Sequence, residues 1–205
     1  MIDLLRRENY FLRRPLNAAS RLILLLGAVV LTIAVFQPMW RISLVAPQYQ
    51  EGLELRIFTH KLEGGNRGQD LHEINVLNHY IGMRPIAAAD FVEMKWMPFA
   101  LGVFALLALR ATLIGRMVSL IDLVVLFTYF GAFSIGNFAY RLYSYGHNLD
   151  PHAPMTITPF TPVVVGSQKI ANFVQSSYPQ SGAALLALFP LCIVCAMWLS
   201  RREEV

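Results

Sequence analysis

The chain has 205 residues, 56% of them hydrophobic and only 15% charged, with a formal net charge of +4. Soluble domains average about 45–50% apolar and about 25% charged residues, and a chain this small exposes too much surface to hide such a surplus in one core. A soluble enzyme, a disordered chain and a disulfide scaffold are excluded on that ground; because the basic residues flank apolar spans instead of lining an aromatic groove, so is a nucleic-acid ligand.

The first twenty residues, MIDLLRRENYFLRRPLNAAS, alternate leucine and aromatic residues with arginine. That pattern reads as an amphipathic helix lying on an anionic inner leaflet, or as a docking arm for a neighbouring subunit. Residues 21–40 follow as an apolar run long enough to cross a bilayer, which takes about 20 helical residues. The run is longer than a signal-peptide core and has no small-x-small cleavage pattern, so it reads as retained. Similar runs cover residues 96–114, 118–140 and 183–199. None alternates with period two, so each is expected to be a helix.

The predicted fold is therefore an all-α integral membrane protein with four transmembrane helices. Arg6, Arg7, Arg13, Arg14 and Arg21 before the first span, Arg116 in the tight link after the second, and Arg201 and Arg202 at the end put both termini on the cytoplasmic side. Residues 1–20 form the cytoplasmic arm and 200–205 the tail. Residues 41–95 and 141–181 become two extracytoplasmic loops. Trp40, Trp96, Tyr143, Tyr145 and Trp198 fall near the expected interfaces.

In the first loop, Leu53 to Leu62 alternates apolar and polar residues and reads as a strand, closed by the Gly64-Gly65-Asn66 turn. Asp70 and Glu73 resemble a capping box for a short helix over residues 71–81, with Gly82 ending it. His72 and His79 lie two turns apart, about 10 Å along the axis, too far to share one ion unaided. His79 and Met83 converge only if the helix persists through Gly82. Imidazole with thioether is a copper-type donor set, particularly for Cu(I). The alternative is that these histidines cap or hydrogen-bond a compact subdomain.

Within the spans, Arg110 and Asp122 stand about six residues either side of the Gly115-Arg116 turn, and the expectation is a structural ion pair in preference to a proton relay. Gly131, Ser134, Gly136 and Asn137 suit close helix packing. In the second loop, His147, Asp150 and His152 cluster in one short stretch without a standard metal spacing. An Asx turn at Asp150 is the competing reading. Residues 167–175, SQKIANFVQ, read as a brief amphipathic helix on the membrane surface. Cys192 and Cys195 form a C-x-x-C inside the last apolar run, where nothing electropositive favours a thiolate.

The runs PQYQEGLELRIFTHKLEGG, INVLNHYIGMRPI, YGHNLDPHAPMTITPF and GSQKIANFVQSSYPQSG resemble a poorly characterised family of bacterial four-span membrane proteins. That family is associated with copper-protein maturation, in the gene neighbourhoods of nitrous oxide reductase. The resemblance implies a place in a bacterial cytoplasmic (inner) membrane and signature stretches at residues 78–83 and 146–151, and carries no catalytic role. The expected function is a non-enzymatic accessory protein that binds or hands over copper on the extracytoplasmic side, with His72, His79, Met83, His147, Asp150 and His152 as metal ligands. The alternative is a structural or docking subunit of a larger membrane or periplasmic redox protein. Membrane lipid is a partner in both.

Overall fold

A computed structural model describes residues 11–170 and 172–202. The amphipathic arm expected over residues 1–20 falls half outside them. The chain is mixed α/β, 59% helical and 17% in a five-stranded antiparallel sheet, which overturns the all-α four-span expectation. In chain order the elements are α1 (Ala18–Ala34), β1 (Trp40–Ala46), β2 (Tyr49–Ile57), β3 (Leu62–Gly64), α2 (Gln69–Tyr80), α3 (Glu93–Ile114), α4 (Met117–His147), β4 (Gly166–Ile170), β5 (Phe173–Pro179) and α5 (Ser181–Arg202).

Three of these helices, α3, α4 and α5, are long and apolar enough to cross a membrane. The first apolar run falls short of that standard. Asn17 caps α1, accepting the Ser20 N–H, and the helix ends after 17 residues. That is about 26 Å at 1.5 Å per residue, against a hydrocarbon core of about 30 Å. Pro38 cannot continue a helix, and Trp40, expected at the membrane interface, instead opens β1.

The chain divides into two compact units. The helical unit comprises residues 1–35, 98–132 and 184–205. Its interior is built from Leu24, Ala28 and Leu31 of α1, Leu101, Phe104 and Ala108 of α3, Leu120, Leu123 and Phe127 of α4, and Phe189, Ile193 and Ala196 of α5. Its outward side chains are equally apolar: Leu22, Leu26, Val29, Leu106, Leu113, Leu126, Leu191 and Val194 are all exposed. Water would tax such a surface, whereas hydrocarbon would not. One polar network lies inside: the Ser20 hydroxyl donates to the Ala196 carbonyl at 2.7 Å, and Ser200 donates to Ser20 at 2.8 Å.

Arg110 and Asp122 do not form the expected ion pair. Both are exposed and neither meets an opposite charge within 4.0 Å among the described residues. The buried seam takes Ala108 and Ala111 from α3 and Leu120 and Leu123 from α4, and the two charged residues are rotated off it. Gly131 and Gly136 do not bring helices together either, since a Cβ at either would meet open space.

The second unit comprises residues 36–97 and 133–183 and carries the sheet, in strand order β3-β2-β1-β5-β4. Period-two burial sorts its two faces. Ile42, Leu44 and Ala46 of β1, Leu53 and Leu55 of β2, and Phe173 of β5 point inward and join Ile74, Leu77 and Ile81 in one cluster. Burying each of the leucine, isoleucine and phenylalanine side chains contributes about 1.5–3 kcal/mol. The opposite face carries Arg41, Arg56, Lys169, Ser167 and Tyr178. Arg41 and Arg56 are directly opposed across β1 and β2, an unfavourable like-charge pairing. Glu54 offsets it by binding the Arg56 guanidinium at 2.9 Å, and the same contact holds the Glu54 carboxyl below its ordinary pKa.

Residues 167–175 are not an amphipathic helix but most of the β4–β5 hairpin, with Ile170 paired to Phe173 and β5 paired along β1. The strand expected over residues 53–62 is really two: β2, which starts at Tyr49, and β3.

Candidate functional site

The site lies where the two expected signature stretches meet in the sheet-bearing unit. Helix α2 is approached through a left-handed turn at Asn66, Arg67 and Gly68, with φ of 48°, 58° and 96°. Asp70 does not cap the helix: it is buried within the first turn, where its Oδ2 accepts the Glu54 backbone N–H at 2.8 Å and its Oδ1 accepts from the Asn66 amide at 2.8 Å. Buried polar atoms need such partners, so Asp70 ties the turn to β2. Glu73 takes a hydrogen bond from the Tyr49 hydroxyl. That bond is the main reason the Glu73 carboxyl lies below its ordinary pKa and the Tyr49 phenol above its own. Asn75 braces the chain beyond the helix, accepting the Ile86 N–H at 2.7 Å and donating to the Ile86 carbonyl at 3.1 Å.

The helix ends in a Schellman motif. The Met83 N–H bonds the Asn78 carbonyl at 2.8 Å, the Gly82 N–H bonds His79 at 3.2 Å, and Gly82 has φ of +78°. The chain therefore turns at Gly82, and the condition for His79 and Met83 to converge on one helix face is not met. His79 is exposed, while Met83 packs inward against the sheet core.

The second stretch is bonded directly to the first. The Asp150 N–H donates to the Gly82 carbonyl at 2.8 Å and the Met155 N–H to the Tyr80 carbonyl at 2.9 Å. A Cβ on Gly82 would lie 2.8 Å from the Asp150 carbonyl oxygen. Further along, the Phe160 N–H reaches the Gly146 carbonyl at 3.1 Å, and a Cβ on Gly146 would lie 2.0 Å from the Phe160 oxygen. Two glycines thus permit backbone-to-backbone contact that any side chain would block.

On this joined surface the candidate ligands take separate tasks. His147 stacks on Tyr143 and places Nδ1 3.0 Å from the Tyr143 carbonyl, which can only accept, so Nδ1 is the donor of that contact and Nε2 is the nitrogen left for another partner. The Asp150 carboxylate accepts the His152 backbone N–H at 2.9 Å, an Asx turn. His72, His79, Asp150 and His152 are exposed. Among the described residues no three His, Cys, Asp or Glu side chains gather around a point that could hold one ion. The six residues do not fit one copper centre in this arrangement.

Beneath the surface lies a cavity of about 70 Å³ between the inner face of the sheet, α2 and the end of α4. Its walls are apolar except for Asn78, Gln175, Arg141 and Tyr145. Arg141 is neutralised: its Nη2 donates to both Glu93 oxygens, at 2.9 and 3.2 Å, and Asn137 donates to the same carboxylate at 2.6 Å. Tyr145 stacks with Phe91, and the Arg84 guanidinium lies 4.7 Å from its ring centroid. Trp40 donates its indole N–H to Ser177 at 2.7 Å and packs on Phe138.

Sequence reasoning passed over Asn78, Glu93 and Arg141. Only Asn78 had a signal, as the polar residue of α2 adjoining the Leu77 stripe. No protein-family model matches the chain, and no curated protein matches it.

Proposed function

We propose that this protein is a non-catalytic, membrane-anchored accessory subunit that uses its sheet-bearing unit to dock a larger membrane or periplasmic redox protein. In this reading both termini are cytoplasmic and residues 41–95 and 141–181 face the extracytoplasmic side, following the arginine distribution. The observation that carries it is the backbone-to-backbone joining of residues 80–82 with residues 150–155. It presents His79, Tyr80, Asp150, His152 and Met155, all exposed, on a scaffold fixed before any partner arrives. Tyr and Met are favoured interface residues, and a pre-ordered surface loses little entropy on binding. Solubilised in mild detergent and separated natively without crosslinking, the tagged chain is expected to migrate with a larger assembly. Migration as an isolated small species under those conditions overturns the proposal.

A second reading, copper hand-over, is favoured by His147. A carbonyl on Nδ1 that leaves Nε2 to ligate is the usual arrangement of a metal-ligating histidine. Purified protein is then expected to take Cu(I) from a competing chelator and to lose that capacity in the His147→Ala and His79→Ala double variant. Uptake unaltered by the double substitution removes this reading.

A further inference from the structure

We infer that the cavity under the joined loops is a binding site for a small, neutral, apolar group bearing one carbonyl oxygen, anchored by the side-chain amide of Asn78. Asn78 retains only 3% of its exposure and lines the cavity, yet its Nδ2 has no hydrogen-bond partner among the described residues. Buried amide groups are nearly always paired, so an orphan donor beside a cavity marks an acceptor that belongs there. Leucine at this position would continue the packing of Ile74 and Leu77, both buried on the same helix. Packing alone therefore gives no reason for an amide.

The surroundings define the ligand. Ile42, Leu44, Leu55, Phe138 and Phe173 supply apolar and aromatic walls. Gln175, Arg141 and Tyr145 are the other polar side chains of the wall, and the remaining lining is apolar, so an acceptor carried on an apolar body matches both the orphan donor and its surroundings, whereas a water would match the donor alone. The Arg141 charge is already matched by Glu93, and an anionic ligand would meet the desolvation cost without a free cation to offset it. An apolar cavity of roughly 150 Å³ holds benzene, so a volume of about 70 Å³ admits on the order of three or four non-hydrogen atoms. That is the size of a carbonyl with its neighbouring carbons. The carbonyl could be supplied by a lipid ester or by a free small molecule. This inference does not depend on the docking reading.

The test uses the full chain in lipid-free detergent with acetone as probe. 2-Methylpropene, the same framework without an acceptor, is the control. Acetone is expected to bind saturably, to shift the Asn78 side-chain amide resonance, and to bind at least about tenfold more tightly than the control, a factor of ten being worth about one good hydrogen bond. Asn78→Leu is expected to raise the apparent Tm of the unliganded protein while abolishing the preference for the ketone. A structural asparagine gives the opposite result, so a lower Tm in Asn78→Leu overturns the inference. So does equal binding of the two probes, or no saturable binding of the ketone. Competition then identifies the source within a supported site: displacement by diacyl but not diether phosphatidylcholine assigns a lipid ester, and displacement by neither assigns a free carbonyl compound.

Discussion

Gly82→Ala is expected to disrupt the joined loops while leaving membrane insertion intact. Two costs add at this position. The backbone has φ of +78°, a left-handed conformation that a residue with a Cβ adopts at a penalty of about 1 kcal/mol. The new Cβ would also lie 2.8 Å from the Asp150 carbonyl oxygen and 3.0 Å from its nitrogen. Those atoms are backbone and cannot swing aside as a flexible side chain would. Relief requires the two stretches to part, which breaks the Asp150 N–H bond to Gly82 and strains the Met155 bond to Tyr80. The sum is about 2–4 kcal/mol against this local structure. Hydrogen exchange should show the amides of Asp150 and Met155 losing protection, while those of β1 and β2 keep theirs. Gly68→Ala is the matched control: φ is +96°, but nothing lies within 4 Å of its Cβ, so only the backbone cost applies. Equal protection at Asp150 in the Gly82 and Gly68 variants would show that the contact does not hold the loops together. The same Gly82 variant bears on the docking proposal, since loosening this surface should weaken co-migration without altering the amount of protein in the membrane.

The long apolar helices could be read from sequence because hydrophobicity over twenty residues survives any tertiary context. The sheet could be read only in part, and the reason lies in particular residues. Leu53-Glu-Leu-Arg-Ile alternates cleanly, so β2 announces itself. β1 follows an apolar run with only Gln37, Pro38 and Met39 between, and Trp40 reads equally well as the interfacial anchor that closes that run. β4 and β5 are worse placed. With Ile170, Phe173 and Val174 as the apolar residues, SQKIANFVQ satisfies a helical spacing as well as it satisfies a hairpin, and Asn172, a turn-forming residue type, is the only local hint. β5 is placed by pairing with β1, some 130 positions earlier in the chain, and no local pattern encodes that. The site divides in the same way. Gly82 as a helix terminator was legible, because a glycine after an apolar stripe has a specific conformational use. The joining of residues 80–82 to residues 150–155 was not, because it is made by backbone atoms that every sequence possesses. Asn78 became noticeable only once its burial was known.

Arg141→Met is expected to cost about 2 kcal/mol, less than the 3–5 typical of a fully buried pair because Arg141 and Glu93 keep 28% and 17% of their side-chain exposure. The loss comes from what the substitution leaves behind. Glu93 stands in the first turn of α3, and its carboxylate is held by Asn137 and by three Arg141 contacts that together reach both oxygens. Without the guanidinium, a half-buried carboxylate retains one amide donor and the favourable end of a helix, neither of which replaces a bidentate cation. Methionine restores the volume, so a packing defect contributes little. If the uncompensated charge is the cause, removing it should restore stability: the Arg141→Met, Glu93→Leu double variant is expected to recover most of the loss, giving a coupling of about 1–2 kcal/mol in the cycle. Urea unfolding in one fixed detergent measures all four species. A double variant as unstable as the sum of the singles would mean that Arg141 acts through its contact with the Phe91 ring, not through Glu93. Arg141 also forms part of the cavity wall, so its replacement separates two roles that the geometry combines. Because the guanidinium is already spent on Glu93, the double variant should bind the ketone probe about as tightly as the native chain. Loss of ketone binding in a stable double variant would make Arg141 a ligand-binding residue and not a neutral wall.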